Sequence, residues 1–153
     1  NLAMKSDLQK ALPAYYDFMV AYQNLLRDGG SFNEVSVSSM DGKLPLANWP
    51  ASQGSIATVC RKVDDKQVVH FINFKDSKTS NWRDNQGIQA VPALVKDAQI
   101  SLTSAGTVKK IWTASPDMIG GASRSLNFDQ SGNQVAFTLP ELKYWSMVVV
   151  EYE

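Results

Sequence analysis

The chain has 153 residues, 44% apolar and 20% charged, which is material for one well-cored domain or a small domain with an appendage. Fifteen basic and fifteen acidic side chains cancel to a formal net charge of zero, so no field draws in nucleic acid or an anionic membrane. The single cysteine, Cys60, excludes an internal disulfide, and no run of about 18 apolar residues exists to cross a membrane as a helix.

In chain order, Asn1 to Met4 reads as a tail or loop. Ser6-Asp7-Leu8-Gln9 then forms a capping-box pattern, with Ser6 as N-cap and Gln9 three positions on. Leu8, Leu12, Tyr15, Phe18 or Met19, Tyr22 and Leu25 or Leu26 follow at helical spacing. Arg27 suits the last turn, and Gly29-Gly30 ends the helix. Pro13 conflicts with this pattern, because it lacks a backbone donor and clashes with a preceding carbonyl. The expectation is a kink, or a short turn before Pro13 followed by a helix from about Ala14 to Asp28. Apolar and aromatic side chains cover much of this helix. Either its outer face packs on a partner domain, or the helix simply covers one sheet.

From Phe32 the period changes to two, with Val35 and Val37 alternating with Ser36 and Ser38. Asp41-Gly42 signals a turn, and Leu44 to Pro50, with two prolines, reads as irregular or edge material. Ile56–Val63 and Lys66–Phe74 make the clearest hairpin, across Asp64-Asp65. Asp76 to Ala90 is polar and reads as a long loop containing an isolated Trp82. Val91 to Ile100, with Pro92 inside, reads equally as loop or strand.

Val108 to Thr113 is the next strand, stopped by Ser115-Pro116-Asp117. Arg124–Phe128 and Gln134–Leu139 are expected to pair as a hairpin, with Pro140 breaking the chain after it. Tyr144 to Tyr152 is the most apolar β-rich run. Alternation puts Ser146, Val148 and Val150 on one face and Trp145, Met147 and Val149 on the other. Both faces are apolar, which suits the centre of a sheet. Many short strands joined by such turns indicate an antiparallel sandwich. The chain opens on Asn1 without a leader pattern and closes in its strongest strand, so a piece of a longer protein is expected.

Little chemistry is self-evident. His70, the only histidine, lies between Val69 and Phe71 in a strand, and a structural role is expected for it; Cys60 reads as a buried thiol. One histidine and one cysteine do not make a zinc site, and no metal or cofactor is expected. Glycosidase chemistry needs two carboxylates facing across a sugar. Glu34, Asp64, Asp76, Asp84, Asp117, Asp129 and Glu141 all sit beside turn or loop residues, and no pair stands out as catalytic. Trp82-Arg83-Asp84 is the one candidate binding group. The indole can stack on a sugar with Arg83 and Asp84 bonding hydroxyls, or the same residues can anchor the loop. Trp49, Trp112 and Trp145 fit core or interdomain packing better.

Four stretches carry a resemblance: Pro13-Ala14-Tyr15-Tyr16-Asp17-Phe18 and its continuation to Asp28, Val69-His70-Phe71-Ile72-Asn73-Phe74, Trp82-Arg83-Asp84, and Leu142 to Glu151. Together they resemble the end of the catalytic barrel and the C-terminal β domain of glycoside hydrolase family 66, over nearly the whole chain. The resemblance implies secreted, bacterial endo-dextranases or cycloisomaltooligosaccharide glucanotransferases acting on α-1,6-glucan. It implies a retaining reaction through an Asp nucleophile and a Glu acid/base on a (β/α)8 barrel. Neither carboxylate has a counterpart here. Residues 1–30 are then expected to be the helical end of that barrel, and residues 31–153 a Greek-key β-sandwich. The upstream barrel of the same polypeptide becomes the expected partner, with α-glucan as a second. The chain reads as a non-catalytic support in a dextranase-like enzyme. The alternatives are a carbohydrate-binding module or part of a glucanotransferase.

Overall fold

The computed structural model describes residues 5–26, 31–33, 35–50, 52–79, 84 and 87–153. Among the described residues, helix α1 (Ser6–Ala21) and a short turn α2 (Gln23–Leu26) precede eleven strands. These are β1 (Ser31–Phe32), β2 (Val37–Ser39), β3 (Leu46–Asn48), β4 (Ile56–Val63), β5 (Lys66–Asn73), β6 (Val95–Thr103), β7 (Val108–Ala114), β8 (Arg124–Leu126), β9 (Phe128–Ser131), β10 (Gln134–Leu142) and β11 (Trp145–Tyr152). They form two sheets. The larger runs β1-β4-β5-β11-β7-β8, with β3 also on β4; the smaller runs β2-β6-β10-β9. All pairings are antiparallel except β3 with β4. The expected sandwich with an N-terminal helix is therefore what forms.

The last strand lies between β5 and β7, at the centre of the larger sheet. Its alternation has the expected consequence. Val148 and Val150 join Val69, Phe71, Ile100, Ile111, Val135 and Leu139 in the core between the sheets. Met147 and Val149 face outward, but α1 lies there, so they are fully buried with Phe18, Val68 and Ala114. A strand with two apolar faces needs both covers, and the helix is the second. Phe18 is the wedge, 1% exposed, with its ring 4.8 Å from Trp145 and 4.9 Å from Tyr22 between centroids. Burying such a ring contributes about 2–3 kcal/mol.

Polar bonds fix where the helix lies. Tyr15 Oη donates to Asp117 Oδ1 at 2.8 Å, and Tyr22 Oη donates to the Gly121 carbonyl at 2.8 Å. Asp117 Oδ2 accepts the backbone N–H groups of Tyr144 (2.9 Å) and Trp145 (2.8 Å), where β11 begins. Ser115 Oγ donates to the Trp145 carbonyl at 2.6 Å. Gly121 has φ +58, the left-handed region that favours glycine, and lies in ordinary contact range of the Phe18 ring.

Several local expectations are corrected. Lys5, not Ser6, holds the N-cap position without a side-chain cap, because the Gln9 N–H already bonds the Lys5 carbonyl at 3.1 Å. The helix passes through Pro13 in one piece; residues 5–13 are all exposed, so the missing donor costs no buried bond. The interruption falls instead at Tyr22, whose N–H bonds Phe18 and Val20 carbonyls. Arg27 and Gly29-Gly30 lie outside the described residues.

The segment with Pro92 resolves into a strand that starts only at Val95. The expected hairpin of Arg124–Phe128 with Gln134–Leu139 is split. Arg124–Leu126 pairs with β7 in the larger sheet, and only Phe128–Ser131 pairs with β10. Pro140 does not break the chain; β10 continues to Leu142. Opposite Pro140 stands Asp97 at φ +50, where the ladder omits one pair and resumes at Glu141–Lys96. A ladder that already skips this position loses nothing to a residue without an N–H.

Replacing Asp117 with Ala strands two backbone donors and the Tyr15 phenol. The expected loss is about 3 kcal/mol of unfolding free energy in urea titration, against about 1 for Tyr15→Phe.

Candidate functional site

Every candidate acid within the described residues occupies a structural or solvent-facing position. Asp117 is engaged by the three donors named above. Asp84 closes its loop by accepting the N–H groups of Ile88 (2.9 Å) and Gln89 (2.8 Å). Asp76 Oδ2 accepts the Ala93 N–H at 2.9 Å, and Glu141 lies 3.9 Å from the Lys96 ammonium. Asp64 sits in the β4–β5 turn at φ +52, and Asp129 lies exposed on β9. Glu34 falls outside the described residues. No group of three or more metal-ligating side chains forms among the described residues.

Of the expected binding group, Trp82 and Arg83 lie outside the described residues. Asp84 does not present a free carboxylate, since both its oxygens hold the backbone of the same loop. That geometry is of the anchoring kind. The described part of residues 76–90 contains no helix or strand, as expected.

His70 lies on β5 beneath Trp145. The indole Nε1–H donates to His70 Nδ1 at 3.1 Å, which places the proton of the neutral imidazole on Nε2. Burial, and secondarily the charge of Arg61, pushes this imidazole down from 6.5 to about 4. It is therefore a neutral acceptor at physiological pH. Tyr15, half-buried and facing Asp117, holds its proton far above the usual phenol range. Cys60 is buried, and burial pushes its thiol up to about 11. These perturbed groups belong to the packing of the sandwich and its helix.

Two features of the surface stand out. The first is a stripe on α1. Leu8, Leu12, Tyr16, Met19 and Val20 are 37–67% exposed, at spacings of three and four that align them along the helix. This stripe is offset by about 100° around the axis from the buried one. The second is a groove of about 340 Å³ on the outer edge of β4, where β3 and β1 leave a seam between them. Trp49 (57% exposed) and Phe32 (73%) border it, and Asn33, Asn48, Thr58 and Val59 are among its lining. A wider cleft lies between the end of α1 and the sheet. There Trp112 Nε1 donates to Glu151 Oε1 at 2.7 Å, which commits that carboxylate.

The family model described as glycosyl hydrolase family 66 matches residues 1–149. A cycloisomaltooligosaccharide glucanotransferase of Niallia circulans is 31% identical over 153 residues, covering 97% of this chain and 16% of that protein. A second of the same description and organism is 28% identical over 154 residues, with the same coverage. The crystal structure of a Paenibacillus sp. cycloisomaltooligosaccharide glucanotransferase complexed with cycloisomaltoheptaose superposes with a TM-score of 0.85. It is 29% identical and covers 96% of this chain and 21% of that one. The chain thus spans well under a quarter of the length of the relatives it matches.

Protonating His70 in place opposes folding. Stability is expected to be full above pH 6.5 and to fall as the pH drops toward about 4, by roughly 3 kcal/mol in all. In urea titrations across that window, His70→Gln should flatten this limb relative to the native chain.

Proposed function

Because the chain belongs to glycosyl hydrolase family 66, we propose that it is the accessory, non-catalytic β-sandwich part of a larger bacterial extracellular enzyme acting on α-1,6-glucan. On this reading the parent works by glucan transfer, as the name cycloisomaltooligosaccharide glucanotransferase says of both curated relatives and of the structural neighbour. A dextranase parent is the less supported form, since none of these three relatives carries that description. The catalytic acid pair belongs to the part of the polypeptide outside this chain. Residues 1–30 act as the last helical stretch of the catalytic barrel, and residues 31–153 as the domain fitted to it.

The observation that carries the reading is the exposed apolar stripe of α1. A helix already docked by Phe18 has no internal use for a second apolar stripe, and a continuous apolar patch of this kind marks an interface. The engagement of Asp84 and Asp117 in backbone bonds is the complementary support. No helix among the described residues is long and apolar enough to cross a membrane.

Incubated with dextran, the 153-residue chain should release neither reducing sugar nor cyclic oligosaccharide in chromatographic assay; turnover would overturn the assignment. Charging the stripe with Leu12→Asp and Val20→Asp is a second check. In the isolated chain the pair should change unfolding free energy by no more than about 1 kcal/mol. In the full-length enzyme the same pair should lower the thermal midpoint of the catalytic part, and an unchanged midpoint would remove the supporting role.

A further inference from the structure

We propose that the seam groove between β3 and β1 is a sugar-binding site that takes a short segment of α-1,6-linked glucan across the Trp49 ring. The inference rests on the reading of the parent as a glucan-acting enzyme. It adds a ligand contact to a chain otherwise read as a support.

The first ground is chemical. Among the described residues, those that line the groove carry no formal charge, and their polar side chains include the amides of Asn33 and Asn48 and the hydroxyl of Thr58. A neutral polyhydroxylated ligand finds amide and hydroxyl groups of its own kind there. The second ground is the ring. Trp49 stands 57% exposed at the border of this groove, with an apolar face and a polar edge. A hexose offers an apolar C–H face and a ring of hydroxyls, which matches that combination. Phe32 is less suited to the same task, because the Arg61 guanidinium already lies 4.7 Å from its ring centroid.

The third ground is that the groove is held in shape before any ligand arrives. The Trp49 N–H bonds the Thr58 carbonyl at 3.1 Å, and the Asn33 N–H bonds the Cys60 carbonyl at 3.2 Å. The Asn33 amide exchanges two hydrogen bonds with Gln67, at 2.7 and 3.0 Å. Thr58 Oγ1 donates to Asn48 Oδ1 at 3.1 Å, which sets that amide beside the indole. A preformed site loses little ordering entropy on binding. The volume of about 340 Å³ lies at the small end of ligand sites, in keeping with a few sugar units and not a long chain.

Titration of the 153-residue chain with isomaltotetraose, followed by tryptophan fluorescence and by calorimetry, tests the proposal. Saturable binding is expected, weakened about tenfold or more by Trp49→Ala and less by Trp49→Phe. Trp82→Ala should bind as the native chain does. Because Trp49 is exposed, the thermal midpoint of Trp49→Ala should match the native one, and that measurement shows that any loss is local. Absence of saturable binding would overturn the site, as would native affinity in Trp49→Ala. Loss in Trp82→Ala alone would also overturn it, by moving the contact to the long loop. None of these results touches the supporting role, which the dextran assay and the stripe substitutions decide separately.

Discussion

The structure depends on one carboxylate. Asp117 takes a phenol from α1 on one oxygen and two backbone N–H groups from the start of β11 on the other. Charge-assisted bonds of this kind are about twice as strong as neutral ones. Their value here lies in what they join: the helix, the end of β7 and the strand at the sheet centre meet at a single group. Phe18 can then fill the space over Met147 and Val149, and Trp145 can close over His70. Apolar burial supplies most of the free energy, but it does not fix a direction. Asp117 and the Tyr22–Gly121 bond fix it.

This division explains what could be read from the residues alone. Strands with a strong local pattern were legible. Ile56–Val63 with Lys66–Asn73, and Trp145–Tyr152 with its two apolar faces, follow from alternation and from a turn that tolerates a left-handed Asp64. The errors arose where neighbours distant in sequence decide. Arg124–Leu126 looks like half of a local hairpin, yet its hydrogen bonds go to β7 in the other sheet. Pro140 looks like a stop, and only the left-handed Asp97 across from it shows why a strand can hold it. Pro13 reads as a kink or a break on sequence grounds, and the helix runs on through it on an exposed turn.

The candidate chemistry divides in the same way. Acids in turns are common, and no spacing rule tells an acid that ties a loop from one that moves a proton. The backbone bonds that Asp76, Asp84 and Asp117 accept appear only in the structure. His70 was readable as structural from its apolar strand. Its indole partner was not, since Trp145 is distant in sequence and adjacent only through the β5–β11 pairing. The Trp49 groove was invisible for a like reason: β1 and β3 reach the same edge from different parts of the chain.

That edge has a further consequence. An open strand of eight residues such as β4 would invite an identical molecule to zip onto it and start a fibril. Here the border is a patchwork. Leu46–Asn48 runs with β4 along one half, and Ser31–Phe32 runs against it along the other. An intruding strand would meet two opposed polarities and a step between them, so no single register extends along it. Along this edge the interruption of register comes from the outline of the sheet and not from net charge, which in this chain is zero.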